Sequence, residues 1–223
     1  MPAGPAGCDG ASDTGRVGVG VAYGFADTEL GFSETRFQLS QQAVAVSGSY
    51  QVSERWILRA SAGAMLDGEL TGTVAGESRV FDLNAGPSFS LGAATQVLGE
   101  NDANLILSLS FSAGVTLATT TALDAGGNSL GGSEQDYTAV DLRFGALLGV
   151  TLFDRWTPFL LARAFGGPVS WNFDDVGGRT GTDTTHVQLG VGSALTLVPG
   201  VSLFVEGVFF GERGVATGFE IRP

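Results

Sequence analysis

Apolar and polar residues alternate with a period of two along most of this chain. Residues 105–117 (LILSLSFSAGVTL) put Leu105, Leu107, Leu109, Phe111, Ala113, Val115 and Leu117 on one face and Ile106, Ser108, Ser110, Ser112, Gly114 and Thr116 on the other. Successive side chains of a strand point to opposite sides, so this segment predicts a strand with one greasy side and one small, polar side. The pattern recurs in about ten segments, from Arg16–Phe25 to Gly214–Arg222. Typical of them is Trp56–Leu66, with Trp56, Leu58, Ala60, Ala62, Ala64 and Leu66 opposite Arg59, Ser61 and Gly63. Val80–Val97 reads as one strand with Phe81, Leu83, Ala85, Phe89 and Leu91 outward and Asp82, Asn84, Gly86, Ser88 and Ser90 inward. An outward apolar band around a polar interior predicts an antiparallel up-and-down transmembrane β-barrel. Ten strands fit the pattern, with eight or twelve as the alternatives.

One segment is irregular. Placing Arg163 of Trp156–Val169 inside also turns Phe159, Leu161 and Phe165 inward, which calls for a bulge or an apolar patch in the lumen. The connections alternate in length. Residues 53–55, 98–104, 153–155 and 198–200 make short turns, while polar stretches at about 26–35, 67–79, 120–137 and 170–184 read as long loops. Short turns on one side and long loops on the other are how bacterial barrels sit in a membrane. The connection 211–213 is the exception, short where a long loop is due. The domain reading is a flexible periplasmic tail over 1–15 and a barrel over 16–223.

Composition changes this picture little. No stretch offers the ~18 uninterrupted apolar residues of a membrane-spanning helix, and a mean hydropathy of +0.23 is what strands with one polar face produce. The net charge of −12 argues against nucleic acid as a partner. All 11 basic residues are arginine. One cysteine, Cys8, leaves no intramolecular disulfide and no paired-cysteine metal site. Ala6-Gly7-Cys8 has the look of a lipobox end, but no apolar run precedes it, so it reads as an incidental tail cysteine. A secreted barrel is made with a leader, so a signal segment is expected to have been removed upstream.

With Glu54-Arg55-Trp56 and Asp154-Arg155-Trp156 at two strand starts, the chain resembles the small outer-membrane β-barrel proteins of Gram-negative bacteria. The resemblance covers residues 16–222 by strand and loop pattern rather than by a motif. It departs at the end, where Phe219-Glu220-Ile221-Arg222-Pro223 replaces the terminal aromatic many such proteins carry. It implies an outer-membrane location, periplasmic termini, extracellular long loops, and lipid and lipopolysaccharide as partners. A further protein partner on either side is left unidentified. Trp56, Trp156, Tyr50, Arg55 and Arg155 are the candidate headgroup anchors.

The alternation assigns Arg59, Asp82, Asp141, Arg143, Arg163, His186, Glu206, Glu220 and Arg222 to the lumen. Such a set makes either a charged constriction or a ladder of paired charges filling a narrow barrel, and the balance of signs favours pairing. His186 is the only histidine. The ten-stranded omptin proteases carry an aspartate two residues before theirs, where this chain has Thr184. Barrel-type lipid A deacylases place a serine two residues after, where Gln188 stands. No catalytic residue, metal site or cofactor is therefore expected. Asp124, Glu134, Asp136, Asp174 and Asp175 are acidic loop candidates. The leading expectation is a non-catalytic barrel, structural, surface-binding or a narrow passive pore. The alternatives are an outer-membrane enzyme, protease or lipid-modifying, with rim residues near His186, and a soluble ligand-binding barrel.

Overall fold

The computed structural model describes residues 16–33, 35–74, 76–98, 104–123, 129, 134–172 and 179–222. Its strands are β1 (Val17–Phe32), β2 (Thr35–Gln51), β3 (Trp56–Val74), β4 (Glu77–Leu83), β5 (Gly86–Leu98), β6 (Leu105–Leu123) and β7 (Gln135–Val150). They continue as β8 (Trp156–Gly166), β9 (Val169–Trp171), β10 (Arg179–Asp183), β11 (Val187–Val198), β12 (Val201–Phe210) and β13 (Arg213–Ile221). Every pairing is antiparallel. β4 and β5 are halves of one interrupted stave, as are β8 with β9 and β10 with β11, so the thirteen segments form ten staves. β13 pairs with β1 from Val19↔Ile221 to Asp27↔Arg213 and closes the ring. No sheet edge is left open there, as hydrocarbon surroundings demand.

The ring does not keep ten staves along its full height. The β12–β13 hairpin ends at Phe210–Arg213, level with Asp27 on β1. Beyond it β1 pairs directly with β10, Leu30 against Asp183 and Gly31 against Thr182. The far end is thus an eight-staved collar standing on a ten-staved barrel. The collar includes residues 26–33, 35, 67–74, 76–79, 120–123, 134–137, 170–171 and 179–184, all in stretches expected to be loops. These are strand extensions instead: β1 and β2 run in register to Phe32↔Thr35, and β3 pairs with β4 to Val74↔Glu77. Asp136 lies within β7 rather than in a loop, and Glu134 immediately precedes that strand.

Polarity inverts between the two parts. In the ten-staved barrel the outer face is apolar, with Val46 54%, Leu91 68% and Phe144 56% exposed, while glycine, alanine and serine make up much of the inner face beside an apolar patch of Phe159, Leu161 and Phe165. Polar groups that do face outward are satisfied locally: Trp156 Nε1–H donates to Ser193 Oγ at 2.6 Å and Thr217 Oγ1–H to the Phe204 carbonyl at 3.0 Å. In the collar the inner face is apolar and the outer face polar. Leu30, Phe32, Phe37, Leu39, Met65, Leu70, Phe81, Leu83, Tyr137, Val169 and Trp171 form one buried cluster. Trp171 is its centre, with ring centroids 4.8 Å from Phe37, 4.9 Å from Phe81 and 5.7 Å from Phe32, all edge-on. Edge-to-face rings add to the gain from burial alone. The indole N–H donates to Thr120 Oγ1 at 2.8 Å, so the buried polar atom is satisfied.

Two irregularities carry the inversion along the chain. β3 slips register at Leu66, between the pairs Ala43↔Met65 and Gln42↔Asp67, so that Leu70 joins Met65 inside. The stave of β4 and β5 breaks at Asn84–Ala85. Phe81 and Leu83, expected outward, are consequently buried inside, and Asp82 points to the outer face opposite Glu69. By contrast β8 needs no bulge: Phe159, Leu161 and Phe165 simply point inward beside Arg163.

Leu91→Arg sets a charge on the outer belt. It is expected to cost about 2–4 kcal/mol of insertion energy and to abolish the fast-migrating folded band on an unheated gel. Asp82→Ala, outside the belt, should leave that band intact.

Candidate functional site: the charged lumen

Small residues leave space inside the barrel. A chamber of about 210 Å³ lies there. One wall carries hydroxyls from adjacent strands, where Ser47 pairs with Ser61 and Ser61 with Ser90; the Ser61 and Ser90 hydroxyls are 2.7 Å apart. The opposite wall is charged and apolar, with Arg163, Glu206, Phe204 and Leu161 among its residues.

The charges form two groups. Near the terminal end Glu220 accepts from Ser49 Oγ (2.9 Å) and Arg222 (2.9 Å) and lies 3.8 Å from Arg59. Higher up, Arg163 holds Glu206 through two parallel bonds, Nη1 to Oε1 and Nη2 to Oε2 at 2.7 Å, the fork geometry that arginine offers a carboxylate. Arg163 also donates to Gln188 Oε1 at 3.2 Å, and Gln188 Nε2 to Glu212 at 3.4 Å. Arg143 joins Asp141 on its own strand to Glu212 at 2.9 Å across the lumen and stacks over the Phe165 ring. These bonds make a continuous path from Asp141 to Glu206. The burial of Glu206 (1% exposed) and Gln188 (1%) shows how little of it meets bulk water.

Of the lumen candidates, Arg59, Asp141, Arg143, Arg163, Glu206, Glu220 and Arg222 are brought together in these groups. Two are not. Asp82 is on the outer face of the collar, because the stave break reverses its parity. His186 is exposed in the step between β10 and β11, its Nδ1 3.3 Å from the Phe165 carbonyl oxygen. Trp56, Trp156 and Tyr50 are exposed at the terminal end, with Arg55 and Arg155 in the turns beside the tryptophans. The tail 1–15, Cys8, Asp124, Asp174 and Asp175 lie outside the described residues. Among those described, no group of His, Cys, Asp and Glu is arranged to hold a metal ion.

Glu212 is central to the network yet was not among the sequence candidates. Its signal was the short connection 211–213. Gly211 has φ +79°, and a Cβ there would stand 2.1 Å from the Val187 carbonyl oxygen, so the tip folds tightly against β11 and sends Glu212 inward. Asp183 belongs to the polar stretch 170–184, expected to be a loop. It sits at the base of the collar, accepting from Thr28 Oγ1 at 3.1 Å. Burial pushes its carboxyl up to about 6, against the Thr28 bond and with the help of the Glu212 and Asp141 charges.

Comparisons follow the geometry. No protein-family model and no curated protein matches the sequence. Among solved structures, the chain is similar to the outer membrane protease OmpT from Escherichia coli, at 10% identity and TM-score 0.51, covering 95% of this chain and 96% of that one. It is also similar to the translocator domain of the autotransporter NalP from Neisseria meningitidis, at 15% identity and TM-score 0.50, covering 97% and 91%.

Two outcomes are expected of the charges. Arg163→Ala strands a buried glutamate and should cost about 3–5 kcal/mol in urea unfolding, whereas Arg163→Met with Glu206→Leu should recover most of it. For Asp183 the folded carboxyl binds its proton more tightly than the unfolded one, whose ordinary value is about 3.9. Its contribution is therefore full below about pH 4 and lost as pH rises through about 6, a change on the order of 2 kcal/mol. Asp183→Asn should flatten that part of the stability profile, read as the denaturation midpoint from pH 4 to 7.

The closed ring of antiparallel staves, its apolar outer belt and these structural likenesses together give the chain the fold of the bacterial outer-membrane β-barrel proteins.

Proposed function

We propose that the protein is a non-catalytic integral outer-membrane barrel, closed along its axis, that holds a rigid acidic collar at the cell surface as a structural or surface-binding element. The observation that carries this reading is the Trp171-centred cluster, which fills the eight-staved end with packed side chains. The termini and short turns face the periplasm in this reading, and the collar faces outward. Trp56, Trp156 and Tyr50 sit at headgroup level, with Arg55 and Arg155 beside lipid phosphates.

The outer face of the collar carries Asp27, Glu29, Asp67, Glu69, Asp82 and Asp136, with Arg36 drawn into a pair with Glu29, while Glu77 pairs with Arg79 at the collar's rim. That surface suits a cationic partner, or divalent ions bridging to lipopolysaccharide phosphates. Catalysis gains no support at His186, whose ring hydrogen bond goes to a backbone carbonyl. A narrow passive pore is the second reading, favoured by the chamber beneath the cluster.

Planar-bilayer recording at pH 5 tests the axial seal. The unmodified protein should give no steady current, and Trp171→Ala with Phe37→Ala should give one. A steady current from the unmodified protein at that pH would overturn the sealed reading.

A further inference from the structure

The collar closes at a weak place. β1 is paired along its whole length with β2 on one side. On the other side it follows β13 to Asp27↔Arg213, then passes the hairpin tip, then meets β10 in two rungs only, Leu30↔Asp183 and Gly31↔Thr182. One further bond, Thr184 N–H to the Glu29 carbonyl at 2.8 Å, completes the seam. Asp183 ends β10 at this spot. Facing it are Thr28 on β1, Glu212 on the hairpin tip, and Asp141, Arg143 and Tyr137 on β7. Among these described groups the only cation is Arg143, which Asp141 and Glu212 already engage. The seam lies at the lower edge of the Trp171 cluster, to which its Leu30 belongs, and Asp141, Arg143 and Glu212 line the chamber beneath.

We propose that the β1–β10 seam is a proton-controlled side door for small cations, leading past the hairpin tip into the chamber and bypassing the axial seal. With Asp183 protonated, Asp141 and Glu212 are met by Arg143, with Arg163 also acting on Asp141, and the seam stays shut. With Asp183 ionised, a third negative charge enters a poorly hydrated space that holds no added positive one. Two rungs resist that repulsion weakly, since the net gain from each hydrogen bond is small once its exchange with water is counted. Separation of β10 from β1 lets water and cations reach the three carboxylates. The upward displacement of the Asp183 titration places this change within the range a cell surface meets. Acidic walls select the sign of the permeant ion.

The inference goes beyond the sealed-barrel reading, and one recording series separates the two. In bilayers with potassium chloride on both sides, the unmodified protein should show brief cation-selective openings at pH 7.5 and only about a tenth of that open fraction at pH 5. The open fraction should rise by at most about tenfold per pH unit, as one titrating carboxyl allows. Asp183→Asn should remain silent at both values. Gly31→Cys with Thr182→Cys in a Cys8→Ser background joins a directly paired rung; oxidation should abolish the openings and reduction restore them. Silence at every pH, a pH step that survives in Asp183→Asn, or one that survives the oxidised crosslink would overturn the side door. A steady current at pH 5 would instead overturn the sealed axis.

Discussion

The whole architecture depends on pairing every backbone donor and acceptor of β1. A peptide group buried away from water without a partner costs about as much as a lost hydrogen bond, so a strand that outruns its neighbour must find another. β1 has 16 residues and its partner β13 only nine. The surplus is taken up by β10, and that exchange of partners turns a ten-staved barrel into an eight-staved collar. Ring size, seal and seam all follow from the shortness of one hairpin.

Two solvents explain the two interiors. Where the outer face meets lipid, apolar burial inside gains little that outside exposure would lose, and the lumen is left mostly to small residues and mutually neutralising charges, with Phe159, Leu161 and Phe165 as an apolar patch on one wall. Charges so enclosed persist because they are paired and hydrogen-bonded. Where the outer face meets water, the ordinary hydrophobic effect returns, and Phe32, Phe37, Phe81 and Trp171 collapse into a core of the kind a soluble barrel has. A single ring thus changes from inside-polar to inside-apolar along its own strands.

Much of the barrel was legible in the sequence because alternation there is uninterrupted. Leu105–Leu117, Val187–Leu197 and Val215–Ile221 each keep one parity, and their outward residues stand where the pattern puts them. The collar was illegible for a physical reason. Polar outward residues such as Asp27, Glu29, Asp67 and Glu69 resemble loop composition when they alternate with the glycines and threonines of an exposed sheet. Parity changes at Leu66 and at Asn84–Ala85 hid the rest: a one-residue slip exchanges the faces of everything beyond it, which is why Asp82 was sought inside and Phe81 outside. Within the lumen the arginines were identifiable from alternation alone. Their partner Glu212 was not, because a turn residue belongs to neither parity.

The divided pairing of β1 also means that the ring has two closures rather than one. Thr28 and Asp183, on either side of the seam, are 155 positions apart in the chain. That contact needs none of the residues of β12 or β13. Once it forms, the gap left in the ring is two strands wide and bounded by β1 and β11, the two strands that hold the last hairpin in the finished barrel. Long-range strand pairing is the slow part of β-sheet assembly because loop entropy is lost before contacts compensate for it. An early collar closure converts the final step from a search by a free end into the filling of a slot of fixed width.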